Sequence, residues 1–235
     1  MLDELKKAVL EANLALVKSG LVVETFGNAS GIDRARGLVV IKPSGVAYDR
    51  MKPRDMVTVA LGSGKVAEGR LNPSSDTPTH LALYRAFSAI GGIVHTHSLF
   101  ATAWAQSGRP LPPLGTTHAD YFWGAVPCTR QLKPREIKSD YEANTGRVIV
   151  EAFAGRDPLA CPAVLVASHG PFTWGRSPDQ AVHHAVILEH LARLAAETLR
   201  VFPFIRPMSR VLMEKHFDRK HGPGAYYGQG RAAKR

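Results

Sequence analysis

Short β-branched runs punctuated by turn residues, set between two long helical patterns, constrain this chain to a mixed fold built on hairpin-linked strands. Leu38-Val39-Val40-Ile41 and Met56-Val57-Thr58-Val59-Ala60 are bounded by Gly, Pro and Asp, and Gly62-Ser63-Gly64-Lys65 reads as a hairpin turn between short strands. Upstream, Leu5, Val9, Ala12 and Leu16 recur at helical spacing within residues 3–19, and Gly20 supplies the stop. Downstream, Ser177-Pro178-Asp179-Gln180 joins an S-x-x-Q capping pattern to a proline at the first helical position, opening a helix over 178–201. A last helix is expected over 206–216. Between these ends, Thr77 and Pro78 start a helix that runs to residue 87, a strand ends in His95 and His97, a helix succeeds it over 98–106, and strands are expected at 147–153 and 163–167. The pattern predicts an α/β fold, a single-domain α/β/α sandwich with a largely antiparallel central sheet. No linker, repeat or low-complexity run divides the 235 residues, and 45% hydrophobic content supports a sizeable core. Residues 1–229 therefore read as one domain and 230–235 as a basic C-terminal tail.

The formal net charge of +10 raises the question of nucleic acid, with Arg219, Lys220, Arg231, Lys234 and Arg235 as its best support. Base-stacking aromatics interleaved with basic residues are missing, and no helix-turn-helix, zinc-finger or RNP-like pattern occurs. A diffuse positive field equally serves an anionic small substrate by raising its local concentration. Cys128 and Cys161 lie far apart and form no C-x-x-C, which argues against a disulfide scaffold or a thiolate metal knuckle. The N-terminus carries acids before its bases and no signal-type apolar run, and no stretch of ~18 uncharged apolar residues occurs. A cytoplasmic protein with no membrane partner is the expectation.

His95-Thr96-His97 closes the apolar stretch Gly91-Gly92-Ile93-Val94. On a strand, positions i and i+2 project from one face, so two imidazoles can share one cation there. That is half of a metal site, and it is equally a pair of hydrogen-bonded polar residues. Asp76 and His169, each at a predicted element boundary, are the candidates for further ligands. Asp76, just before Thr-Pro, also suits a helix cap, and His169, before Gly-Pro, suits a loop.

Three separated segments are composed to approach an anion: Gly27-Asn28-Ala29-Ser30, Lys42-Pro43-Ser44-Gly45 and Ser74-Ser75. Each offers hydroxyl or amide donors beside residues that expose backbone N–H groups or fix a turn. With one lysine, and a possible metal ligand directly after Ser75, they suggest a phosphate clamp next to a cation. Gly62-x-Gly64-x-x-Ala67 formally fits a relaxed dinucleotide fingerprint, but that motif requires a helix opening in the glycine run. The chain instead continues as Glu68-Gly69-Arg70-Leu71-Asn72-Pro73, a composition that opens no helix.

Pro73-Ser74-Ser75-Asp76-Thr77-Pro78-Thr79-His80, Ile93-Val94-His95-Thr96-His97-Ser98 and Ser168-His169-Gly170-Pro171-Phe172 resemble the class II aldolase and sugar-phosphate epimerase family. Gly115-Thr116-Thr117-His118-Ala119-Asp120-Tyr121-Phe122, Val126-Pro127-Cys128-Thr129-Arg130 and the terminal Ala225-Tyr226-Tyr227-Gly228-Gln229 resemble its epimerase members. The resemblance runs from near residue 1 to Gln229, through many motifs in order. It implies a class II aldolase-like fold in which Asp76, His95, His97 and His169 hold Zn2+ or another divalent cation. It also implies that Asn28, Lys42, Ser44, Gly45, Ser74 and Ser75 bind the phosphate of a phosphorylated ketopentose. Asp120 and Tyr227 would be the proton-transfer pair, joined by His216 and Arg219 from a neighbouring subunit of a homotetramer whose sites lie between subunits.

The chemistry this implies is inversion at carbon 4 of a 2-ketopentose 5-phosphate. That carbon is not adjacent to the carbonyl, so its C–H proton is not acidic. With the dinucleotide motif rejected, transient oxidation is disfavoured, leaving retro-aldol cleavage of the bond between carbons 3 and 4 and re-addition through the opposite face. Two acid/base groups are then needed, and a Lewis-acidic cation offsets the developing charge. An aldolase of the L-fuculose 1-phosphate type is the close alternative. A basic nucleic-acid-binding protein with a structural zinc is the remote one.

Overall fold

A computed structural model of the chain describes residues 2–226. Helix α1 (Leu2–Lys18) opens the fold, burying Val9, Ala12 and Leu16 on one face. Strands β1 (Asn28–Asp33), β2 (Leu38–Ile41), β3 (Val57–Ala60) and β4 (Val66–Glu68) come after it, the last two joined by the expected hairpin with Gly64 in the left-handed region. Helix α2 (Thr77–Ala86) leads to β5 (Gly92–His95) and α3 (Leu99–Ser107), and α4 (Thr116–Ala119), α5 (Pro134–Lys138) and α6 (Tyr141–Ala152) come next. Strands β6 (Ala163–Leu165) and β7 (Pro171–Gly175) complete the sheet before α7 (Pro178–Val201) and α8 (Arg210–His221).

The seven strands lie in the order β4-β3-β2-β1-β5-β7-β6, every neighbouring pair antiparallel. Alternation along the strands divides the core. Val39, Ile41, Ile93, Phe172 and Trp174 face Leu83 and Tyr84 of α2, Phe87 just after it, and Ile149 of α6. Val94 and Ala29 face Leu16 of α1 and Ala181, Val182 and Ala185 of α7. The expected α/β/α sandwich is the product of this period-two division. Among the described residues no helix is long and apolar enough to cross a membrane.

Three expectations need correction. Residues 147–153 are not a strand: they lie mostly in α6. The run Val148-Ile149-Val150 favours a strand locally, but Asn144, Thr145, Gly146, Val148 and Ile149 are buried in a helix, with Ile149 packed in one cluster with Leu83 and Tyr84 of α2. Gly146 permits that approach, since a Cβ there would lie 2.6 Å from the Ala82 Cβ. The last helix runs from Arg210 to His221 rather than over 206–216: the chain turns at Pro203, where the Ile205 N–H donates to the Phe202 carbonyl at 3.3 Å, Pro207 has no N–H to give a helix, and Ser209 caps the start by accepting from the Leu212 N–H at 3.3 Å. Finally, β5 ends at His95, so His97 stands beyond the strand and not in it. The expected chain tail at 230–235 falls outside the described residues.

Candidate active site

The central strands end together at one rim, and the site forms there. The register pairs His95 with Asn28 of β1 and with Phe172 of β7. His95 points to the α2 and α6 side, where the Phe172 ring stacks on it at 4.2 Å between centroids. The chain then turns away from the sheet and brings His97 back toward its neighbour, with His95 Nε2 and His97 Nε2 3.1 Å apart. His169 comes from the opposite side on a tight turn, in which Val166 N–H donates to the Gly170 carbonyl and Ser168 takes φ +58°. Gly170 has to be glycine for this closure, because a Cβ there would stand 2.8 Å from the Thr96 carbonyl oxygen. Gly27 is required on the other flank: at φ +119° its Cβ would lie 3.0 Å from the His95 carbonyl oxygen.

One ligating atom each of His95, His97 and His169 lies within 4.8 Å of the other two. A divalent cation bound at about 2.0–2.1 Å by two imidazoles sets their nitrogens about 2.9–3.4 Å apart, between octahedral and tetrahedral angles. The His95 and His97 spacing falls inside that range, so the residues fit a metal. Their protonation fits as well. Burial depresses all three imidazoles, against the opposing pull of Asp76, so they are neutral ligands at pH 7. His95 Nδ1 is 3.0 Å from the Pro171 carbonyl oxygen, which accepts its proton and leaves Nε2 as the free lone pair.

Asp76 precedes α2 at the capping position, yet its side chain makes no capping hydrogen bond. It accepts instead from Asn28 Nδ2 at 2.7 Å. Burial alone would raise this carboxyl, but the facing His95 and His80 rings, the Asn28 amide and His169 outweigh it and hold it below its ordinary range. Asp76 lines the same cavity as the three imidazoles while its carboxylate stands outside their cluster.

That cavity has a volume of about 420 Å3 and is also lined by Asn28, Lys42, Ser44, Gly45, Ser74 and Ser75. The two loops that carry most of these residues are zipped together: Ser44 N–H donates to the Asn72 carbonyl at 2.9 Å and Ser74 N–H to the Lys42 carbonyl at 2.9 Å. Lys42 is buried, lies 4.8 Å over the Tyr48 ring, and has no carboxylate within salt-bridge range among the described residues. A buried ammonium without a counter-charge disfavours its own charge, and burial accordingly lowers its pKa. An incoming anion would supply the charge it lacks. Ser30, by contrast, is no part of the cavity; it is fully buried deeper along β1.

Asp120, His216 and Arg219 also come together, at a different place. Arg219 grips the Asp120 carboxylate with Nε at 2.9 Å and Nη2 at 2.6 Å, and His216 Nδ1 lies 3.1 Å away. Burial would raise Asp120, but these partners and the Lys220 ammonium at 3.8 Å hold it low. None of these residues lines the metal cavity of the same chain. Tyr227 lies outside the described residues. A larger open groove of about 730 Å3 beside Trp123 and Phe217 holds no cluster of metal-ligating side chains among the described residues.

Sequence reasoning missed Phe26, Tyr141 and Glu142, which line the cavity. Tyr141 Oη is 3.5 Å from His169 Nδ1. Its position at the start of α6 is hidden when residues 147–153 read as a strand. His80 was visible only as the last residue of the motif that begins at Pro73; it is fully buried, and desolvation pushes it down to about 4 against the pull of Asp76.

Residues 7–196 match the family described as Class II Aldolase and Adducin N-terminal domain. The chain is 56% identical over 228 residues to the L-ribulose-5-phosphate 4-epimerase UlaF of Salmonella paratyphi B, covering 97% of this chain and 100% of that protein. The protein of the same name from Salmonella typhi is equally similar, with the same coverage. Among solved structures, an L-fuculose 1-phosphate aldolase superposes with a TM-score of 0.77 at 24% identity, covering 92% of this chain and 95% of that one. The L-fuculose-1-phosphate aldolase of Thermus thermophilus gives 0.67 at 24%, covering 84% and 96%; at these identities the likeness is one of fold.

Proposed function

This chain belongs to the class II aldolase and adducin N-terminal domain family, and we infer that it interconverts L-ribulose 5-phosphate and D-xylulose 5-phosphate by inverting carbon 4. One observation carries the reading from the structure: three converging neutral imidazoles and a buried, uncompensated lysine open into one cavity. The first suits a divalent cation, here zinc; the second suits a phosphate dianion.

Each residue then has a task. Lys42 supplies charge to the phosphate, while Ser44, Gly45, Ser74 and Ser75 supply hydroxyl and backbone N–H donors around it. His95, His97 and His169, with Asp76 turned inward, would hold the cation. When bound it supplies Lewis acidity that offsets the negative charge developing on the ketone side as the bond between carbons 3 and 4 breaks. A base removes the proton from the carbon-4 hydroxyl, the electron pair of the bond passes to the ketone fragment, and glycolaldehyde phosphate is left. Rotation of that aldehyde exposes its other face. Re-addition reforms the bond, and an acid on the far side returns the proton to oxygen 4.

Asp120 and Tyr227 are the groups we assign to the two proton transfers, delivered with His216 and Arg219 by a neighbouring subunit of a cytoplasmic homotetramer. The separation of the Asp120 cluster from the cavity of its own chain supports that assignment. The catalytic domain in this reading spans residues 1–229, with 230–235 as its basic tail.

Incubating the metal-loaded protein with L-ribulose 5-phosphate in deuterated water tests the reaction. D-xylulose 5-phosphate should form with no deuterium at carbon 4. Label at that position contradicts the retro-aldol route, and accumulation of free glycolaldehyde phosphate without the epimer makes the protein an aldolase.

A further inference from the structure

Behind the cavity lies a chain of buried polar groups that the metal ligands do not explain. His80 lies one turn of α2 beyond Asp76, its main-chain N–H donating to the Asp76 carbonyl at 3.1 Å, so the two side chains share a helix face. The side chains interact electrostatically. The His80 ring is set edge-on to Phe172 at 6.0 Å between centroids, directly behind His95. His80 Nδ1 is 2.7 Å from Ser30 Oγ, and Ser30 Oγ is 2.9 Å from Tyr84 Oη. His80 Nε2 and Asn28 Oδ1 are both buried without a hydrogen-bond partner among the described residues.

Counting protons sets the direction of the hydrogen bonds. Ser30 Oγ is the hydrogen-bond partner of the buried Tyr84 Oη among the described residues, so the phenolic proton has Ser30 Oγ as its acceptor. A serine hydroxyl has one proton, and Ser30 passes its own to His80 Nδ1. The neutral ring therefore carries its proton on Nε2. The reverse direction would strand the buried Tyr84 proton as well as His80 Nε2, two orphaned groups in place of one.

We propose that His80 is a positioning residue for Asp76. Its Nε2–H is the unspent donor that the Asp76 carboxylate takes up, directly or through one water, when a cation draws that carboxylate toward His95 and His169. Asn28 Nδ2, already 2.7 Å from Asp76 Oδ2, is the second donor of the pair. Partners that orient a ligating carboxylate in this way typically change metal affinity by about 10–100-fold. The inference rests on the divalent-cation reading of the three imidazoles.

Histidine-selective 15N NMR of the full chain, without and with one equivalent of Zn2+, is the first test. His80 should be the Nε2–H tautomer in both states, with its Hε2 proton moving downfield and exchanging more slowly once Zn2+ is added. An Nδ1–H tautomer, or an Hε2 indifferent to Zn2+, overturns the proposal. Chelator competition on variants is the second. His80→Asn keeps an acceptor near Ser30 but has no donor toward Asp76, and should bind Zn2+ about tenfold or more weakly. His80→Gln places an amide N–H near the Nε2 position and should stay within about threefold of wild type. Equal affinities for the two variants overturn the role of His80 alone; a wild-type chain that takes up no Zn2+ overturns the cation reading with it.

Discussion

The metal cavity and the Asp120 cluster are built in opposite ways. The cavity is anchored on the middle of the sheet: His95 is fixed by β1 on one side and β7 on the other, its ring is stacked on Phe172, and Gly27 and Gly170 admit backbone contacts that a side chain would block. The Asp120 cluster joins a four-residue helix to α8, a helix with Met213 as its buried residue. Its cohesion is electrostatic, with Arg219, His216 and Lys220 around one carboxylate. A cation site needs ligands held to a few tenths of an ångström before any ligand arrives. Proton-transfer groups that must reach both faces of an aldehyde are better carried on a separate, adjustable element.

Removing a ligand should give the largest effect. His97→Ala is expected to lower turnover by about a thousandfold or more and to abolish stoichiometric Zn2+ uptake, while leaving the circular dichroism spectrum unchanged. Normal turnover by this variant, verified metal-free, would remove the three imidazoles from the mechanism. Asp120→Asn should lower turnover by about 10²–10⁴-fold with Zn2+ affinity within twofold of wild type, measured by chelator competition. A parallel loss of metal affinity would show that the two regions are not independent.

Acid should weaken both regions through buried histidines. His118, on α4, donates from Nε2 to the Gly124 carbonyl at 2.7 Å, and His184, on α7, donates from Nδ1 to the Trp174 carbonyl at 2.6 Å. Burial pushes each ring down to about 4, with those hydrogen bonds opposing it. In the unfolded chain the same rings bind protons below about 6.5, so between about pH 6.5 and 4 the unfolded state holds more protons. Stability is full above that window and falls as pH drops through it, by up to about 3 kcal/mol for each ring, then levels off. Urea unfolding of the metal-free protein at pH 7 and pH 4.5 measures this, and His118→Gln should flatten its share of the slope. A wild-type midpoint indifferent to pH would contradict it.

The smallest effect sharpens the comparison most. Ser209→Ala removes the cap of α8, which should cost about 1 kcal/mol locally. Hydrogen exchange in residues 210–221 should rise and turnover fall severalfold, with Zn2+ affinity unchanged. Unchanged exchange would mean that the contacts of α8 with residues 120–124, and not its cap, hold the helix.

The sandwich was legible because strand alternation and the caps of α1 and α7 are local signals. His95, Lys42 and the serines were legible as types in turn-bounded segments, and every residue named for the metal and phosphate lines one cavity. Other parts were not readable. The β-branched run in α6 is strand-like until α2 packs on it, which concealed Tyr141 and Glu142. His97 sits past its strand and is returned to the cluster by a turn that no period encodes. His80 depends on Ser30, fifty residues away in the chain, and on the register that sets β1 beside β5.

Subunit complementation tests most directly whether these two regions serve one reaction. His97→Ala and Asp120→Asn, each inactive alone, are unfolded together in equal amounts and refolded with Zn2+. If each site takes its metal ligands from one chain and Asp120 from the next, random assembly restores about one quarter of wild-type turnover. Activity no higher than the sum of the separately refolded variants, with refolded wild type fully active, would contradict the account.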